Sequence, residues 1–137
     1  MIDEVNNIED IEHPVIKACL KFLEVDLPLE IHYDADLPGR SGIGSSSSFT
    51  VGLLHSLYTI LGKKVSKNKL AMDAVTIERD MLKENVGLQD QYAASFGGFN
   101  NIVFSKNNTS ITQLNESMRD IISEHLMLFY FPKPRIC

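Results

Sequence analysis

No apolar run in this sequence approaches the ~20 residues a membrane-spanning helix needs, and its acidic first ten residues carry no basic and apolar signal segment. Membrane insertion and secretion are both disfavoured, and the expected location is the cytoplasm. Positive charge is also scarce. Thirteen Lys and Arg stand against 18 Asp and Glu, a formal net charge of -5, and the basic residues form no stripe able to neutralise a nucleic-acid backbone. Cysteine occurs twice, at Cys19 and Cys137, without the partner spacing of a metal site, so both read as free thiols. His13, His32, His55 and His125 are scattered in the same way and read as surface or core residues. There is no internal repeat and no linker. What remains is 137 residues with 44% hydrophobic and 23% charged content, enough to bury a core as one folded domain.

Apolar residues at Ile11, Val15, Ile16, Cys19, Leu20 and Leu23 recur at helical spacing, with Pro14 suited to a first turn where its missing N–H costs nothing. After Leu27 and Pro28, the alternation of Leu29, Ile31 and Tyr33 with Glu30, His32 and Asp34 predicts a half-buried strand. A glycine and serine segment over 37–49 leads into an apolar helix over 51–61, which Gly62 would close. A third helix is predicted over 66–84 with Ser66 as its cap. A short helix ending at Gly97 and Gly98 follows, then strands over 99–104 and 110–114 about a turn at Lys106 to Asn108. A helix over 118–125 and a buried strand over 126–131 complete the pattern.

The segment between the first strand and the second helix is the strongest chemical signal. Glycines let a backbone approach an anion closely, and a following helix aims free N–H groups and its dipole at negative charge. Residues 42–48 offer both, with hydroxyls at Ser45, Ser46, Ser47 and Ser48 that suit phosphate oxygens or Mg²⁺. No Lys follows the last glycine, as a P-loop requires, and the dinucleotide spacing G-x-G-x-x-G is absent. A plain serine-rich linker is the competing reading, and the flanking strand and apolar helix argue against it. Carboxylates that phosphoryl transfer would use occur at Glu78, Asp80 and Asp90. On residue type alone, Glu78, Arg79 and Asp80 read as a solvated helix face, and Asp90 reads equally as a helix cap or as a chemical group. Tyr92 and Phe96 read as packing residues.

The run from Pro38 through Ser47, Pro38-Gly39-Arg40-Ser41-Gly42-Ile43-Gly44-Ser45-Ser46-Ser47, resembles the signature P-x-x-x-G-L-G-S-S-A of GHMP kinases, with Ile for Leu and Ser for Ala. The run Gly87-Leu88-Gln89-Asp90-Gln91-Tyr92, continuing to Asn100, resembles a segment of the bacterial heptose phosphate kinases within that family. The resemblance extends from about residue 9 to Phe104. It implies an α+β fold, a mixed β-sheet with helices packed on it, of the GHMP kinase N-terminal domain type but incomplete. It also implies ATP and Mg²⁺ as cofactors and a small sugar phosphate as acceptor, most closely D-glycero-D-manno-heptose 7-phosphate at its anomeric hydroxyl. Residue by residue, Pro38, Gly39, Arg40, Ser41, Gly42, Ile43, Gly44, Ser45, Ser46, Ser47 and Ser48 would wrap the ATP phosphates, Ser46 and Glu78 would ligate the metal, and Asp90 would orient or deprotonate the sugar hydroxyl. From the residues alone Arg40 reads as an exposed turn residue.

Family members are far longer, so residues 1–137 are expected to form one partial N-terminal domain without the C-terminal GHMP domain. Uncovered apolar sheet edges would then favour a homo-oligomer or a complementing fragment. Two alternatives stand beside the heptose reading: a fucose-type or other small-molecule kinase, and a non-catalytic fragment or interaction module that retains only the fold.

Overall fold

The structure, a computed structural model, describes residues 5–35, 42–106, 108–127 and 129. A short 3₁₀ turn, Ile8–Asp10, precedes α1, Pro14–Leu23. Pro14 occupies the first turn, and the His13 ring caps the helix by accepting from the Ile16 amide through Nδ1 at 3.4 Å. The helix therefore starts three residues after Ile11, at the proline whose fixed φ suits a helix start.

The next helix, α2, spans Ser45–Ile60, and here the structure corrects the expected loop. The serine run is not loop but the first turn of the helix. Gly44 supplies the entry with φ 76, and the first helical hydrogen bond runs from the Ser48 amide to the Gly44 carbonyl at 2.9 Å. Serine's weak helix propensity hides this start, but burial of Ser47, Thr50 and Val51 against the core overrides it. At the far end Gly62, with φ 67, and a hydrogen bond from the Lys63 amide to the Tyr58 carbonyl close the helix in a Schellman arrangement.

Ser66 caps α3, Lys67–Val75, by accepting from the Lys69 amide at 3.2 Å. The chain then continues without a break as a π-helix, Thr76–Met81, where a regular helix to residue 84 was expected. α4 spans Gln89–Phe96 and is followed by β1, Asn100–Phe104, and β2, Thr109–Gln113. The two strands pair antiparallel with Ile102 opposite Ile111. Hydrogen bonds between Ser105 and Asn108 close the connection. Asn107 of the expected turn lies outside the described residues. The last helix, α5, is Glu116–His125, capped by Asn115.

The core forms where α1, α2, α3 and the π segment meet, around Cys19, Leu54, Leu57, Ala74 and Ile77. α4 packs against α2 and α3. Lys67 fastens the end of α4 by donating to the Phe96 carbonyl at 2.7 Å, a cation at a helix C-terminus. Tyr58 ties α2 to α3 through Asp73 at 2.7 Å, and Lys69 pairs with the same carboxylate.

The α+β class holds, and the sheet among the described residues is the β1–β2 hairpin alone. Residues 29–33 keep part of the expected alternation, with Leu29 and Ile31 half-buried and Glu30 and His32 exposed, but Tyr33 is 57% exposed and the stretch pairs with no strand among the described residues. A strand exists only through its ladder partner, so the pattern alone does not make one. Over 126–131, the described residues Leu126, Met127 and Phe129 are 69%, 82% and 71% exposed and lie in no strand, so they correct the expectation of a buried one. The rest of that span lies outside the described residues. No helix among the described residues is long and apolar enough to cross a membrane.

Candidate active site

Three elements bring the candidate residues to one place: the N-terminus of α2, the π segment after α3, and the first turn of α4. At the α2 entry, Gly44 holds a left-handed conformation and no side chain caps the helix. The amides of Ser45, Ser46 and Ser47 precede the first helical hydrogen bond, so they remain unmatched within the helix and point along its positive end. Gly42, also at positive φ, and Ile43 lead into this turn. Pro38, Gly39, Arg40 and Ser41 lie outside the described residues.

Asp90 stands directly beside this turn. A Cβ placed on Gly44 would lie 3.2 Å from Asp90 Cγ and 3.4 Å from its Oδ2, so the absence of a side chain at Gly44 is what lets the carboxylate sit against the loop. Asp90 is exposed and lies within the first turn of α4, whose N-terminus has no side-chain cap. Capping is therefore not its role.

Glu78 differs from its neighbours. Arg79 and Asp80 are exposed, as a solvated face should be, but Glu78 is fully buried. Four residues after the buried Ala74 and eight after the buried Leu70, it falls on the core-facing side of the π segment. Within that segment the hydrogen bond from the Leu82 amide to the Ile77 carbonyl spans five residues and turns this stretch away from α-helical register. Ser47 Oγ donates to Glu78 Oε2 at 2.9 Å, and Gln91 Nε2 donates to the same oxygen. Oε1 has no hydrogen-bond partner among the described residues.

The charge of Glu78 is felt nearby. Burial pushes the Cys19 thiol up to about 12, with the Glu78 carboxylate adding to the rise, and the Glu84 carboxyl is raised by burial and then by Glu78.

A buried carboxylate oxygen without a partner, on a side chain bonded to the Ser47 hydroxyl in the first turn of α2, is a hard donor of the kind Mg²⁺ accepts. Among the described residues no three His, Cys, Asp or Glu side chains cluster to hold a metal. A magnesium ion here would accordingly draw on one carboxylate, hydroxyl, phosphate and water oxygens, its usual pattern in nucleotide sites. Ser46 is exposed on the first turn and Ser48 is exposed half a turn on. Beside α2, a groove of about 660 Å³ is lined mainly by apolar side chains, among them Leu29, Ile31, Ile43, Phe49 and Leu53. Tyr33 meets Phe49 edge-on there at 4.5 Å. Tyr92 is buried, stacked on Phe96 and edge-on to Phe104, which makes it a packing residue.

Sequence reasoning on residue type alone did not find Gln91 or the contact of Ser47 with Glu78. The signal was the position of Gln91 next to Asp90, one helical residue onward, so that α4 can aim one side chain at the loop and the next at the π segment.

A family model described as the GHMP kinases N terminal domain matches residues 13–98, well over half of the chain and including every described part of this site. The chain belongs to the GHMP kinase family. It is 38% identical over 86 residues to the D-glycero-alpha-D-manno-heptose 7-phosphate kinase of Campylobacter jejuni, a stretch that is 63% of this chain and 25% of that relative. It is 37% identical over 89 residues to the homoserine kinase of Campylobacter hominis, covering 65% of this chain and 28% of that one. Among solved structures, a D-glycero-D-manno-heptose 1-phosphate kinase from Bacteriodes thetaiotaomicron superposes with a TM-score of 0.67 at 29% identity, over 82% of this chain and 39% of that chain. The matches thus span 25% to 39% of the lengths of these relatives.

Proposed function

We propose that this chain carries the nucleotide side of an ATP-dependent sugar-phosphate kinase, acting on D-glycero-D-manno-heptose 7-phosphate at its anomeric hydroxyl. The supporting observation is the approach of Asp90 to Gly44, which places a carboxylate against an uncapped helix N-terminus suited to a triphosphate. The heptose preference is supported by the two relatives that are named for heptose phosphates.

In this reading the free amides at Gly44 to Ser47, together with Gly42, Ile43 and Ser48 and with Pro38, Gly39, Arg40 and Ser41, cradle the phosphates. The apolar groove beside α2 receives the base. Ser46 and the free oxygen of Glu78 would hold Mg²⁺, which would supply screening of the phosphate charge. Asp90 accepts or orients the proton of the attacking hydroxyl, a contribution typically worth ~10²–10⁴-fold in rate.

Calorimetric titration of the folded chain with ATP and Mg²⁺ tests this. Saturable binding weakened about tenfold by Ser46→Ala is expected, with Asp90→Asn binding ATP as the parent does. A well-folded chain that takes up no ATP would overturn the reading and favour a remnant that keeps only the fold.

A further inference from the structure

We propose that Ser47 and Gln91 are positioning residues that aim one oxygen of Glu78 at the metal; this rests on the phosphotransferase reading above. The argument starts from an asymmetry. Both donors that reach Glu78 end on Oε2, one from the first turn of α2 and one from α4, while Oε1 has none among the described residues. A carboxylate held this way cannot rotate to share its oxygens without breaking a charge-assisted hydrogen bond in a buried place, where such bonds are strongest. Its second oxygen, buried and without a partner among the described residues, is left free to take a ligand.

Ser47 is 4% and Gln91 1% exposed, so neither side chain is positioned to touch a nucleotide, and Ser47 would meet the phosphates through its amide alone. Gln91 adjoins Asp90 on α4, so the same clamp fixes the metal-side carboxylate relative to the acceptor-side one. Outer-shell partners of metal ligands commonly change affinity by ~10–100-fold when removed.

The test is a titration of ATP binding against Mg²⁺ concentration, with a parallel titration in EDTA, for the full chain and for Ser47→Ala, Ser47→Thr and Gln91→Met. The expected result is a Mg²⁺ half-saturation raised about tenfold in Ser47→Ala and Gln91→Met, recovery in Ser47→Thr, and unchanged metal-free ATP affinity in Gln91→Met. An unchanged half-saturation in Ser47→Ala and Gln91→Met, or equal weakening of Gln91→Met with and without metal, overturns the proposal, the second outcome marking a merely structural role. If Ser47→Ala does not fold, Gln91→Met decides alone. If the unmutated chain binds no ATP, the kinase reading fails and this inference falls with it.

Discussion

Replacing Gly44 by alanine separates two effects that a glycine at a helix entry normally mixes. The first is backbone strain. At φ 76 an alanine pays the left-handed penalty of about 1–2 kcal/mol, offset by roughly 0.4–1 kcal/mol because the unfolded chain loses freedom too. The second is the contact. The new methyl would lie 3.2 Å from Asp90 Cγ and 3.3 Å from its Cβ. Rotation about χ1 can move Cγ but not Cβ, which α4 holds in place, so crowding of about 1 kcal/mol adds to the strain. Gly62 is the control: its φ is 67, but nothing lies within 4 Å of an added Cβ. Urea unfolding should therefore find Gly44→Ala destabilised by about 2 kcal/mol and Gly62→Ala by about 1 kcal/mol. Asp90→Gly, which removes the Asp90 Cβ, should couple to Gly44→Ala by about 0.5–1 kcal/mol and to Gly62→Ala by nothing measurable. If the Gly44 and Asp90 changes are additive, the carboxylate is not held against the loop, and the site as described here is wrong.

Glu78→Ala leaves two buried donors, Ser47 Oγ and Gln91 Nε2, without their acceptor, so thermal unfolding should report a loss of about 2–4 kcal/mol. Glu78→Gln, which keeps the shape, should cost less than half of that. Cys19 should resist alkylation at pH 8 in the native chain and react on unfolding, read peptide by peptide by mass spectrometry. Its folded pKa of about 12 lies above the unfolded thiol value of about 8.5, so its contribution to stability is complete below pH 8.5 and declines as pH rises toward 12. Cys19→Ala should flatten that alkaline limb, and an unchanged slope would contradict it.

Much of the helical frame was legible because its punctuation is local. Pro14, Ser66 and Gly62 each act through the backbone of their own turn, and each ends or begins a helix where the residue type says it should. The start of α2 was not legible, since four serines look like a linker until the burial of Ser47 and Thr50 is known. The burial of Glu78 was hidden for a different reason. Glu78 falls at helical spacing from Leu70 and Ala74, on the buried face, but a carboxylate carries no apolar signal, and beside Arg79 and Asp80 it reads as part of a solvated cluster. Residues 29–33 show the reverse case: the alternation is real in part, and the partner that would turn it into a strand is not among the described residues. In the site, Gly44 and Asp90 were both readable as chemical candidates, but their contact joins positions 46 apart in sequence, and only folding brings them together.

The wide turn at Thr76–Met81 makes chain length in that stretch as strict a requirement as residue identity. Deleting one residue ahead of Glu78 would change the rotation of every later side chain about the helix axis and carry the carboxylate off its two donors. Point substitutions at Thr76 or Met81, half-buried and exposed respectively, leave the winding intact, and drift of composition is tolerated where drift of count is not.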